Sequence, residues 1–129
     1  MFYDDRNNSD RALENYQKAV HIDEKIGNKI HKAICLNLIG GILFSKGDRE
    51  IATKHFREAL SIHQQLGNRL EIAKDLVNIA GVYYFVNNDL KKARETLEES
   101  LATFQELGVS DSKEANDAKE LLNMLKLLK

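Results

Sequence analysis

Apolar residues recur at three- and four-residue spacing along nearly the whole chain, with charged residues between them, and this period fits helices. No proline interrupts it. The pattern predicts six helices. The first covers about residues 10–26, with Ala12, Leu13, Tyr16, Ala19, Val20 and Ile26 on one broad face. It closes at Gly27-Asn28, where glycine can take the left-handed conformation that ends a helix. The second covers about 29–46, and after Gly47 the side chain of Asp48 is expected to cap the third, which stops at Leu66 before Gly67-Asn68. The fourth covers about 69–86, and the fifth runs from Asp89 or Leu90 to Leu107. The sixth opens on Asp111-Ser-Lys-Glu114, read as a capping-box variant with Asp111 as the cap, and continues to the terminus. Turns this short between consecutive helices require neighbours to lie antiparallel, giving helical hairpins.

The helices are copies of one another. Gly27, Gly67 and Gly108 stand 40 and 41 residues apart, and alignment on them superposes Ala12, Ala52 and Ala93, then Tyr16, Phe56 and Leu97, then Ala19, Ala59 and Ser100. Upstream, Leu36 matches Leu76, Ile39 matches Ile79, Gly40 matches Ala80, and Leu43 matches Tyr83. The extra residue of the later copy falls at Asn87-Asn88, opposite Gly47, where a turn absorbs it. Such a period marks an array whose units bury apolar surface against their neighbours. Gly40 and Ala80 are small where Phe56 and Leu97 are large, so a bulky side chain is expected to enter the gap each small residue leaves. The 129 residues form one repeat domain on this reading: a half repeat at about 1–28, repeats at about 29–67 and 68–108, and a terminal capping helix at about 111–129.

Charge adds little. The 19 basic and 20 acidic residues are interspersed, so no basic stripe argues for nucleic acid and no acidic tail for a polycation. A single cysteine, Cys35, excludes an internal disulfide framework and fits a reducing compartment, with the cytoplasm as the expected location. No stretch reaches the roughly twenty apolar residues of a spanning helix, and the first residues lack a signal-peptide pattern, so no membrane association is expected.

Candidate chemistry is sparse. His21, His31, His55 and His63 offer no histidine pair at the four-residue spacing of a helical metal site, and solvated helix faces are their expected home. Cys35 has no CxxC partner and aligns with Asp75, so partial exposure and no special reactivity are expected. Glu98-Glu99 and Asp4-Asp5 are adjacent in sequence and do not converge on one helix face. No catalytic residue, metal site or cofactor is expected, and the chain is read as not an enzyme.

The pattern Leu36-x-x-Ile39-Gly40-x-x-Leu43, followed by Gly47-Asp48-x-x-x-Ala52-x-x-x-Phe56-x-x-Ala59, resembles the tetratricopeptide repeat. The Leu66-Gly67-Asn68 turn and the longer period of about forty residues, against about thirty-four in the commoner form, are similar to the repeats of spindle-orientation adaptors and of many bacterial and archaeal regulators. The later copy departs at Ala80, Asn87, Leu97 and Ser100, and the proline common near the end of each unit is absent. The resemblance implies an all-α fold of antiparallel hairpins stacked as a right-handed superhelix (an α-solenoid), whose concave face binds a peptide or helix. The groove positions it implies are Ile34, Asn37, Leu38, Gly41 and Phe44 in one unit, and Lys74, Val77, Asn78, Gly81 and Tyr84 in the next. In the last helix they are Asn116, Lys119, Glu120 and Asn123. Asparagine amides on such a wall can both donate to and accept from a peptide backbone. Gly41 and Gly81 either admit close backbone approach or reflect helix packing, with packing the expectation, and Phe44 and Tyr84 are expected to be core more than ligand platform. The lysine, arginine and asparagine clamp of co-chaperone repeats is incomplete here, since Asn37, Gly41 and Glu120 stand at positions where it needs other residues.

Two end features complete the reading. The array opens on the second helix of a unit, with Phe2 and Tyr3 matching the tail of an absent first helix, as if cut from a longer repeat protein or completed by another chain. In the last helix, Leu121, Leu125 and Leu128 form an apolar stripe that Met124 and Leu127 widen, so self-association as a homodimer through terminal helices is entertained. The expected function is a non-catalytic module for a protein or peptide partner, within a larger adaptor or regulator. The alternative is a ligand- or peptide-sensing domain that controls an attached effector.

Overall fold

The computed structural model describes residues 5–128, with side chains from 8–128; Phe2 and Tyr3 lie outside the described residues. The described residues are all-α, in six helices: α1 (Asp5–Ile26), α2 (Lys29–Lys46), α3 (Arg49–Leu66), α4 (Arg69–Phe85), α5 (Leu90–Glu106) and α6 (Lys113–Lys126). The first helix begins earlier than its apolar pattern suggested, because the polar run from Asp5 to Asp10 is helical too. The last stops at Lys126, short of the terminus.

Turns between the hairpins share one construction. Gly27, Gly67 and Gly108 all have φ between 68° and 74°, the left-handed region that side chains with a Cβ avoid. The amide after each glycine reaches back five residues to a carbonyl: Asn28 to Asp23 at 2.9 Å, Asn68 to His63 at 3.1 Å, and Val109 to Phe104 at 3.0 Å. Asn28 and Asn68 then cap α2 and α4 by accepting from the amides of His31 and Glu71. The cap of α6 is Ser112, which accepts from the Ala115 amide at 3.2 Å, and not Asp111. The extra residue at Asn87-Asn88 is taken up by Asn88, which carries a positive φ of 53°.

Two compact units divide the chain at Met1–Ile62 and His63–Lys129, and the division falls inside α3. In the first unit α1 packs on α2, and Ala33, Leu36, Ala59 and Ile62 form a buried cluster to which Val20 adds. A Cβ built on Gly40 would lie 2.6 Å from Cε1 of Phe56, so the ring occupies the space that the missing side chain leaves. Lys32 ties the three helices together with carboxylates on both sides, Glu24 at 3.3 Å and Glu58 at 3.2 Å. In the second unit α5 packs against both α4 and α6. Its core holds Ala80, Ala93, Leu97, Ala118, Leu122 and Leu125, so Ala80 and Leu97 repeat the small-against-large contact. Ser100 donates to the Ala73 carbonyl at 2.7 Å, which accounts for a serine where the two earlier copies carry alanine.

Leu125 is 0 % exposed and belongs to this core, and Leu121 packs against it. Leu125, sealed in the core, is not available for self-association, contrary to the sequence expectation, and Leu121 is partly buried. The apolar stripe was broader than the free surface, because α5 covers one side of it. Met124, Leu127 and Leu128 remain exposed, Leu127 at 83 %.

Candidate functional site

The positions implied to face a ligand on α2 and α4 sort into packed and open residues. Phe44 is half-buried, with its ring 6.3 Å from that of Phe56 and the Arg49 guanidinium 5.0 Å above it. Tyr84 is half-buried, packs against the α4–α6 core and meets Phe85 edge-on at 4.8 Å. Both aromatics therefore contribute to packing. Gly41 and Gly81 do not: no heavy atom lies within 4 Å of a Cβ built on either. Helix packing, the sequence expectation for these two, is overturned by that open space. The contrast with Gly40, one residue earlier on the same helix, is a rotation of about 100° around the helix axis.

Hollows lie on both helices, and Gly41 lines one while Gly81 stands outside the other. In the first unit Asn37, Leu38, Gly41 and Ile42 of α2, together with Ser9 and Lys46, line an open hollow of about 500 Å³. In the second, Lys74, Val77 and Asn78 of α4 line a smaller hollow of about 220 Å³ with Glu114 and Asp117 of α6. The side of α6 that closes this hollow is thus acidic. Lys119 stands elsewhere: its ammonium donates to the Ser110 carbonyl at 2.8 Å, and it borders a hollow with Leu101, Phe104 and Gln105 of α5. Asn116 turns to the Asp111 carbonyl, and Asn123 is exposed outside all these hollows. The structure therefore brings Lys74 and Asn78 together but does not add Lys119 or Asn123 to them.

Of the four histidines expected on solvated faces, His63 is instead buried, where the hairpins join. His63 and Asp75 are 2 % and 1 % exposed, and His63 Nδ1 donates to Asp75 Oδ2. In the first unit the equivalent turn residue is Asp23, also buried, whose Oδ2 accepts from His31 Nδ1 at 2.6 Å. Cys35 follows His31 by one helical turn, with Sγ 3.8 Å from Nδ1 and 4.0 Å from Nε2. It is buried and not partly exposed as expected, and burial, with the nearby Asp23 charge, pushes its thiol pKa up. At the third turn Phe104 fills the same place and packs with Ala73 and Ala115. The signal for the buried pairs was present in the alignment, where Asp23 matches His63 and Cys35 matches Asp75. A comparison of histidines with histidines alone passed over it.

Among the described residues no helix is long and apolar enough to cross a membrane. None of the curated proteins matches the chain. A family model described as tetratricopeptide repeat matches residues 32–106, well over half of the sequence. Repeats of this kind are non-catalytic and mediate protein–protein interactions. With that match, six helices in hairpins and small and large core positions in phase, the chain belongs to the tetratricopeptide repeat family.

Proposed function

We propose that this chain is a protein-interaction module, part of a larger adaptor or regulator, and that the α2 face around Gly41 in one unit and the α4 face around Gly81 in the other each accept a peptide or helix from a protein partner. The carrying observation is the open space at these two glycines. A glycine inside a helix costs roughly 0.5–1 kcal/mol relative to alanine, and here no contact within the chain offsets that cost. The absence of a Cβ at equivalent positions of two repeats has a use if another backbone comes close. Asn37 and Asn78, half-buried beside the glycines, supply side-chain amides that can hydrogen-bond to that backbone, Asn37 through its amide nitrogen because its Oδ1 is buried.

A displayed random-peptide library selected on the isolated chain tests this. Selected peptides should lose at least tenfold in affinity on Gly41→Leu plus Gly81→Leu, and on Asn37→Ala plus Asn78→Ala. The glycine variants have room for their side chains and should keep the parent's circular dichroism. Undiminished binding by folded variants would sink the assignment.

A further inference from the structure

We propose that Asp23, His31 and Cys35 form a binding site for a divalent metal ion of the zinc class, at the turn between α1 and α2. One ligand atom from each residue can be chosen so that all three lie within 4.8 Å of one another, and among the described residues this is the one such group. Their chemistry is that of a borderline-soft cation: a thiol, an imidazole and one carboxylate suit zinc or cobalt, whereas calcium and magnesium take shells dominated by oxygen. His31 and Cys35 stand four residues apart on α2, which puts ring and thiol on one helix face, and Asp23 reaches them from the last turns of α1.

Two of the three distances are close to those a tetrahedral ion needs, and the third, between Asp23 and Cys35, is no more than 4.8 Å. Bonds of about 2.0 Å to nitrogen and oxygen and about 2.3 Å to sulfur set ligand atoms roughly 3.3–3.5 Å apart. Here His31 Nδ1 is 2.6 Å from Asp23 Oδ2 and 3.8 Å from Cys35 Sγ. An ion replacing the shared proton must open the first separation by about 0.7 Å and draw the sulfur in by a few tenths. The asymmetry of burial permits this. Asp23 and Cys35 are buried and close their gap by turning about their side-chain bonds, while the His31 side chain is 53 % exposed and can swing. The same exposure leaves a fourth coordination position to water and gives the ion a way in.

The other hairpin turns supply a contrast. The second has a His63–Asp75 pair that gains no third ligand among the described residues, and the third has Phe104 against alanines. Coordination at the first turn would fasten α1 to α2 through groups from both helices, so metal loading would set the stability of that hairpin.

The test uses the full chain, stripped with chelator and kept reduced, titrated with Co²⁺ and then Zn²⁺ alone. One equivalent of Co²⁺ per chain should give tetrahedral d–d bands and a thiolate-to-cobalt charge-transfer band, both displaced by Zn²⁺, and Zn²⁺ should raise the melting temperature. Cys35→Ser should abolish the charge-transfer band. His31→Ala, whose fold is checked by circular dichroism because it removes the partner of buried Asp23, and Asp23→Asn should each weaken Zn²⁺ binding at least about tenfold. His55→Ala should change nothing. Absence of the bands in the parent overturns the proposal, and so does Zn²⁺ binding that survives in folded His31→Ala, which would mark adventitious surface binding only.

Discussion

Replacing Gly40 by alanine sets two effects of opposite sign against each other at a single atom. Alanine is favoured over glycine inside a helix by about 0.8–1 kcal/mol, so the substitution alone should stabilise α2. The new Cβ, however, would stand 2.6, 2.8 and 3.2 Å from Cε1, Cδ1 and Cζ of Phe56. Carbon atoms prefer about 3.5–4.0 Å, so the ring must withdraw by roughly 1 Å. It has little freedom, being 4 % exposed and flanked by Phe44. Overpacking of this kind costs about 1–3 kcal/mol, and the net effect should be a loss of up to about 2 kcal/mol once the propensity gain is subtracted. The equivalent contact in the next repeat pairs Ala80 with Leu97. Phe56→Leu should therefore reverse the sign: in that background Gly40→Ala should stabilise by up to about 1 kcal/mol. Equilibrium urea unfolding of parent, two single variants and the double variant, followed by far-ultraviolet circular dichroism, yields the coupling energy directly. The expected coupling is about 1–3 kcal/mol in favour of the double variant. If the two changes add to within about 0.5 kcal/mol, the small-against-large packing rule fails.

Other substitutions probe the remaining elements. Gly41→Ala and Gly81→Ala should each raise stability by about 0.5–1 kcal/mol in the same urea assay, since both sit in helices with open space around them. Asp75→Ala alone should cost about 1–3 kcal/mol, because it strands a buried hydrogen-bonding nitrogen of His63 in the interior. The paired change His63→Phe with Asp75→Ala should recover most of that loss, since it follows the apolar solution at Phe104. Leu125→Ala should cost about 2–5 kcal/mol by opening a core cavity, whereas exposed Leu127→Ala should stay within about 0.5 kcal/mol of the parent. Thermal melts of the two leucine variants side by side separate these outcomes.

What the sequence disclosed was whatever depends on neighbours in the chain. The turn glycines, the helices between them and the Gly40–Phe56 contact follow from a period of 3.6 and from small and large residues recurring in phase. Gly41 and Gly81 could not be read that way. Glycine in a tight contact and glycine on a bare face look alike in sequence, and only the rotational position of each on its helix separates Gly40 from Gly41. His63 and Asp75 meet across a turn at a separation of twelve residues, outside any helical period. Leu125 and Leu127 belong to one leucine-rich run, and the position of α5 decides which of them is core. The cap of α6 moved by one residue, from Asp111 to Ser112, because both residue types serve and local sequence does not rank them.

The three hairpin turns separate what the backbone does from what the side chain does at one place in the repeat. Asp23, His63 and Phe104 each stand four residues before the turn glycine, and each lends its carbonyl to the amide that closes the turn. That job makes no demand on side-chain identity, so the side chain is free to vary provided its neighbour across the turn varies with it. The matched sets are Asp23 with His31 and Cys35, His63 with Asp75, and Phe104 with Ala73 and Ala115. A buried hydrogen-bonded polar pair gains little over well-packed apolar groups of similar volume, because the cost of desolvating the polar groups offsets most of the attraction. The third turn demonstrates the apolar alternative within the same chain. Stability therefore does not account for polar sets at the first two turns. At the second, a bond between two sealed side chains restricts which partner α4 can present to α3. At the first, one member of the set reaches solvent, and that exposure makes it open to an ion.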